Sequence, residues 1–378
     1  MIPYGRQNIT ADDVAAVTEV LRSDFLTQGP AVPRFEAALA AYCGAPHATA
    51  LNSATSALHV ACLALGLKPG GRLWTSPNTF VASANCARYC GAHVDFVDID
   101  RATGNLDPQK LEDKLKRARR RPDIVVPVHF AGRPCDMAAL GTLSAKYGFR
   151  MIEDASHAVG ARYADGRVVG DGARSAVTVF SFHPVKIITT GEGGMALTRE
   201  SALHASMQRL RTHGITRDPA DMTVTPPGPW YYEQVELGYN YRMTDLQAAL
   251  GCAQLARLDT LLARRRALVR RYDGLLADLP VHRPVPDDAS AWHLYVVRVK
   301  GGKARRASVY RKMREAGIGV NVHYIPVHLQ PYYKALGFRA GQFPEAEAWY
   351  DAAITLPLYP DLSDAQQDDV AAALRNAL

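Results

Sequence analysis

Between Ala48 and Asp154, short apolar runs alternate with stretches of helical spacing, and few folds accommodate that rhythm. Ala48–Leu51 reads as a strand and Ser53–Leu65 as a helix. Arg72–Thr75 is a strand followed by a helix over Phe80–Cys90. His93–Val97 precedes a helix over Pro108–Arg120, and Ile124–His129 precedes Met137–Tyr147. Arg150–Asp154 closes the series as a strand. Strands joined through helices pair in parallel, and a parallel sheet needs helices on both faces. In such sheets functional groups gather at the carboxyl ends of the strands.

The flanking segments differ. Residues 11–22 carry Val14, Val17, Val20 and Leu21 at helical spacing, with Thr10 as N-cap. Beyond Ser175, Ala176–Ser181 and Gly194–Thr198 read as two strands around the loop FHPVKIITTGEG. Residues 214–240 hold Pro219, Pro226, Pro227 and Pro229 and read as loop. Residues 244–278 read as one long helical stretch. A new βα set follows, with His293–Val299, Arg306–Ala316 and Gly319–His323 as its elements. The expected division is a large domain over 1–254 and a smaller α+β domain over 255–378.

At 378 residues the chain is long enough for two such units, and 48% hydrophobic with 21% charged residues is ordinary for a globular enzyme. The net charge of +7 raises nucleic acid as a partner. However, the basic runs Lys114–Arg121 and Arg264–Arg271 fall in helical stretches without interleaved aromatics, so they read as solvated faces. Cys43, Cys62, Cys86, Cys90, Cys135 and Cys252 contain no C-x-x-C pair and read as free thiols of a reducing cytoplasm. The N-terminus lacks a signal-peptide pattern, and the longest apolar stretch is too short to span a bilayer. A cytoplasmic protein with no membrane segment is expected.

Three segments carry chemistry. Lys186 lies between two strands, among apolar neighbours and before a Gly-rich turn; desolvation lowers a lysine's pKa and frees its amine as a nucleophile. A surface loop lysine is the plainer reading. Asp154 ends a central strand, where a carboxylate needs a cation such as a protonated pyridine nitrogen. A metal shared with His157 is the alternative, but no third ligand stands nearby, so no metal is expected. Asn52–Leu58 (NSATSAL) opens a helix with small hydroxyl residues, which suits either a phosphate or an ordinary cap. No P-loop and no G-x-G-x-x-G after a strand is present, which counts against an NTPase and a nicotinamide enzyme. In chain order the segments supply a phosphate anchor, an aromatic (Phe80), a strand-end Asp154 and an amine at Lys186.

Read together, NSATSAL, EDASHA, FSFHPVKIITTGEGGM, LGYNYRMTDLQAALG and NVHYIPVHLQPYY make the chain resemble the DegT/DnrJ/EryC1/StrS nucleotide-sugar aminotransferases over essentially its full length. The resemblance implies an α/β, fold-type I pyridoxal 5'-phosphate (PLP)-dependent transferase with a central, mostly parallel sheet. Lys186 would be the Schiff-base lysine and proton shuttle, and Asp154 would pair with the pyridinium nitrogen. Phe80 would stack on the ring, with His157 supporting its other side. Ala54, Thr55 and Ser181 would hold the phosphate. Asn240 would reach the phosphate of a neighbouring subunit's cofactor, making a homodimer with shared active sites, and Arg242 would lie in that shared site. Tyr4, the segment Asp24, Phe25, Leu26 and Thr27, and the segment His323, Tyr324, Ile325 and Pro326 would line the sugar-nucleotide pocket.

IPYGRQ, SDFLTQGP, HGITRDP and GPWYYEQ narrow the likeness to the pseudaminic acid branch. The implied reaction moves an amino group from L-glutamate to C4 of UDP-4-keto-6-deoxy-L-AltNAc. Alternatives are another UDP- or dTDP-linked keto-sugar, such as the bacillosamine precursor, and a PLP-binding homologue without catalysis. Relatives with histidine at the lysine position are dehydratases; Lys186 implies transamination.

Overall fold

The computed structural model describes residues 1–378. Helices α1 (Ala11–Leu21) and α2 (Ala31–Cys43) lead into β1 (His47–Leu51) and α3 (Ala54–Ala64). The alternation continues through β2 (Arg72–Thr75), α4 (Ala82–Tyr89), β3 (His93–Phe96), α5 (Pro108–Arg117), β4 (Ile124–Val126), α6 (Met137–Tyr147) and β5 (Arg150–Asp154). β6 (Val177–Ser181), β7 (Gly194–Thr198) and α7 (Ser201–Leu210) complete the series. Seven strands form one sheet in the order β1-β7-β6-β5-β4-β2-β3. Only β7 runs against its neighbours, β1 and β6; all other pairs are parallel. β5 and β6 are buried almost along their whole length, as expected for strands covered on both faces.

Several expected boundaries move. The helix expected from Phe80 starts at Ala82, leaving Phe80 in the turn that precedes it. α5 stops at Arg117, so Arg119, Arg120 and Arg121 lie beyond it rather than on a helix face. The 214–240 loop contains a two-residue ladder between β8 (Ile215–Thr216) and β9 (Glu233–Gln234). The single long helix is two, α8 (Asp245–Ala256) and α9 (Leu258–Leu275). They part at Arg257, whose guanidinium turns to the buried Asp13 at 2.6 Å and so ties the break to α1.

The rest of the chain holds β10 (Val281–His282), β11 (Tyr295–Val299), α10 (Gly302–Glu315), α11 (Pro331–Ala335), α12 (Pro344–Ala352), β12 (Ala353–Leu356) and α13 (Asp364–Ala377). β10, β11 and β12 form an antiparallel sheet whose core includes Val297, Val309, Ile354 and Leu374. Gly319–His323, expected as a strand, is not one. Only Asn321 pairs, with Thr355, because Gly319 is engaged by the N-terminal segment. Ile2 N–H donates to Gly317 O, Gly319 N–H to Ile2 O, and Leu358 N–H to Tyr4 O. The first residues of the chain are thus stitched to the last hundred. No helix is long and apolar enough to cross a membrane.

Candidate active site

A cavity of about 450 Å³ opens where the carboxyl ends of β5 and β6 meet the start of α3, and the segment around His323 closes its far side. Ser53 caps α3, its side chain accepting from Ser56 N–H at 3.1 Å. The start of α3, with Ala54 and Thr55, lines the cavity, and a helix N-terminus at a cavity wall is a setting that binds a phosphate. Ser181, at the end of β6, lines the same wall.

Asp154 is buried and held from two sides. Ser83 Oγ donates to Oδ2 at 2.6 Å, and Ser156 N–H donates to Oδ1 at 3.1 Å. Thr79 Oγ1 in turn stands 2.8 Å from Ser83 Oγ. These bonds fix a carboxylate at the cavity wall with room left for a cationic partner.

Lys186 lines the same cavity. Desolvation pulls its ammonium down to about 8, against the opposing pull of Asp154. The amine thus gives up its proton far more readily than an exposed lysine's, although Asp154 favours the charged form. Capture of PLP by the cofactor-free protein is expected to accelerate across about pH 7 to 9, not around the ordinary lysine value of about 10.4. Stopped-flow absorbance over that range measures this; a midpoint above about pH 10 would contradict it.

His157 is locked by its neighbours. Ala131 N–H donates to Nδ1 at 3.3 Å, which leaves the proton on Nε2, 3.1 Å from the Tyr324 hydroxyl. Burial, with Lys186 and His323 nearby, holds this imidazole well below its ordinary pKa and therefore neutral. Behind it, the His293 ring lies 4.4 Å away, buried, with Nδ1 unpartnered. The crossing is tight. A Cβ on Gly132 (φ +99) would lie 2.8–2.9 Å from Trp292 N, His157 O and His293 N, so only glycine fits. His323, buried and drawn down to about 3 by desolvation, bonds Thr355 Oγ1 through Nδ1 at 2.7 Å. Tyr4 and Asn321 complete that wall.

The cavity thus brings together Tyr4, Ala54, Thr55, Phe80, Asp154, His157, Ser181, Lys186, His323 and Tyr324. Phe80 is 60% exposed there, at the rim. Asp24, Phe25, Leu26, Thr27, Asn240 and Ile325 are exposed outside the cavity of their own chain. Half-buried Arg242 and buried Pro326 lie outside it as well. Ser83, His293 and Asn321 were missed. Ser83 meets Asp154 across 71 residues, and nothing in the local sequence distinguishes it from any helix serine. Ser83→Ala is expected to weaken PLP retention about tenfold, the loss of one hydrogen bond to a charged group. Equilibrium dialysis against the cofactor measures it, and unchanged retention would remove Ser83 from the site.

A buried lysine drawn toward neutrality, a strand-end carboxylate and a helix N-terminus around one cavity define a PLP-dependent sugar aminotransferase, with PLP as its cofactor. The chain belongs to the DegT/DnrJ/EryC1/StrS aminotransferase family, whose sequence model matches residues 7–375. Spore coat polysaccharide biosynthesis protein SpsC of Bacillus subtilis is 41% identical, covering 99% of this chain and 96% of its own. The putative sugar aminotransferase Spr1654 of Streptococcus pneumoniae, in its PMP form, superposes with a TM-score of 0.92 at 32% identity, covering 100% of this chain and 99% of its own. PseC of Helicobacter pylori, an aminotransferase of pseudaminic acid biosynthesis, gives a TM-score of 0.90 at 31% identity, with 100% and 98% covered.

Proposed function

We propose that this protein moves an amino group from L-glutamate to C4 of UDP-4-keto-6-deoxy-L-AltNAc, in the cytoplasm, as a step toward pseudaminic acid. The observation that carries the reading is the convergence of Lys186 and Asp154 on one cavity beside the capped start of α3. The likeness to PseC supports the sugar. The likeness to SpsC favours a second reading, in which the substrate is a different nucleotide-linked keto-sugar.

When bound, PLP would supply an electron sink. Lys186 would hold the cofactor by its Nζ and would serve as the base at the amino-bearing carbon. Asp154 would face the ring nitrogen and favour its protonated form, and Ser83 keeps Asp154 in place. His157 and Phe80 would flank the ring. Ala54, Thr55 and Ser181 would hold the phosphate. Tyr4, His323 and Tyr324 meet the sugar nucleotide. The unit is a homodimer in which Asn240 and Arg242, with the exposed Asp24, Phe25, Leu26, Thr27 and Ile325, complete the neighbouring site, while Pro326 is buried in its own chain. Their positions outside their own cavity fit that role.

Absorbance of the PLP-loaded protein tests both halves. L-Glutamate should bleach the band of the lysine-linked cofactor, and UDP-4-keto-6-deoxy-L-AltNAc should restore it. Restoration only by a different UDP- or dTDP-linked keto-sugar would select the second reading. A band indifferent to amino donors would mean binding without catalysis.

A further inference from the structure

A second cavity, of about 340 Å³, lies at the edge of the large sheet and shares no residue with the first. Its floor follows from strand alternation. Arg72 and Trp74 stand two apart on β2, and Trp74 pairs with Asp95 on the edge strand β3, so all three point to one face. α5 covers that face and brings Lys114, whose Nζ is 2.7 Å from Asp95 Oδ2 and 4.7 Å from the centre of the Trp74 ring. Arg117, nearly one turn on, lines the same space. In a continued helix Arg119 and Arg120 would turn off that side. The chain instead becomes extended at Ala118 (ψ 122), and both residues join the cavity wall. The basic run expected as a solvated helix face thus walls a cavity.

Five cations, Arg72, Lys114, Arg117, Arg119 and Arg120, therefore surround one carboxylate. Asp95 is taken up by Lys114, and the four arginines form no ion pair. Like charges gathered in this way repel, and an anion among them relieves the repulsion. Two buried donors agree with the charge. Trp74 is only 2% exposed and its indole N–H has no acceptor, and Arg72 Nε is buried without one as well. Buried donors are nearly always paired, so two orphans in the wall of one basic cavity call for an oxygen-rich ligand.

We propose that this cavity binds an oligophosphate anion, a chain of two or three linked phosphates. Charge sets the length. A single phosphate group carries about −1.5 to −2 at neutral pH, which leaves at least two of the four unpaired arginines unmatched. Arginine guanidinium groups also suit phosphate oxygens, to which they donate in pairs. The phosphates are read rather than a base. Trp74 is the one aromatic residue of the wall, it is buried, and Lys114 lies over its ring. Inorganic polyphosphates and nucleotides therefore share the site. It is separate from the transamination cavity and stands independently of the sugar substrate.

Titration calorimetry of the PLP-loaded protein at about 0.15 M ionic strength tests this, with tripolyphosphate, ATP and orthophosphate as the ligands. Tripolyphosphate should bind at least about tenfold more tightly than orthophosphate, and ATP no more tightly than tripolyphosphate. Arg119 and Arg120 are exposed, so charge reversal there leaves the fold intact. The double variant Arg119→Glu with Arg120→Glu should lose about a hundredfold of tripolyphosphate affinity, about tenfold for each charge-assisted contact, and keep its transaminase activity. Trp74→Phe, checked for an unchanged melting temperature, removes the N–H and keeps an aromatic ring; it should lose about tenfold. Binding that survives either change would place the anion elsewhere, the active-site cavity included, and overturn the proposal. Tighter binding of ATP than of tripolyphosphate would overturn it too, since a base would then be read. So would capture of an RNA oligonucleotide without any binding of tripolyphosphate, which would make the patch a nucleic-acid surface.

Discussion

Lys186→Ala is expected to lower amino transfer by about four orders of magnitude or more while leaving the fold intact. The lysine has two tasks, holding the cofactor and moving the proton, and no other amine lines the cavity to take over either. Its removal also relieves a cost, since a partly desolvated ammonium opposes folding. The variant should therefore melt at or slightly above the wild-type temperature. It should bind PLP only noncovalently, without the lysine-linked absorbance band. Single-turnover absorbance with glutamate and calorimetry measure the two effects together. Retained turnover within about a hundredfold of wild type would assign the proton transfer to another group.

Glu153→Ala is expected to cost about 3–5 kcal/mol of stability, because it strands a set of buried donors rather than removing one contact. Glu153 is fully buried, on the opposite face of β5 from Asp154. Its Oε2 accepts from His129 Nε2 at 2.8 Å and from the Tyr163 hydroxyl at 2.6 Å. Its Oε1 accepts from Ser175 Oγ at 2.5 Å and Thr178 Oγ1 at 3.1 Å. Cys135 N–H donates to His129 Nδ1 at 3.1 Å, which fixes the His129 proton on Nε2, facing the carboxylate. Burial alone would raise the Glu153 pKa, but the hydrogen bonds from His129, Ser175 and Tyr163 outweigh it and hold the group below its ordinary value. A carboxyl depressed in the folded state contributes stability above its unfolded pKa, about 4.3, and loses it as pH falls through the folded value. Denaturant melts should therefore show the variant weaker at neutral pH, with the gap to wild type closing under acid. A gap that stays constant to about pH 2 would assign the loss to packing instead.

The network also shows what the sequence leaves open. Glu153 and Asp154 are adjacent in EDASHA, and strand alternation alone sends them to opposite faces. Which face holds the cavity is decided by where α3, α4 and the His323 segment pack. The strand series from Ala48 to Thr198 was legible because a sheet covered on both faces needs short, continuous apolar runs, and such runs survive as local pattern. Gly319–His323 has the same local pattern and is not a strand, since its partner is the N-terminal segment at the other end of the chain. Helical spacing over 244–278 likewise could not show a break at Arg257 that depends on Asp13.

What the sequence by itself determined is the set of groups and their order: a capped helix start, a strand-end Asp154 and a loop lysine, each a local signature. Only the tertiary structure decided the environment of those groups. Ser83 on Asp154, Ala131 on His157, His293 behind it and the desolvation of Lys186 are contacts across long separations. Hydrogen-bond direction, tautomer and pKa depend on distances of a few ångströms. Such distances are set when the elements pack, and no residue's near neighbours in the chain encode them.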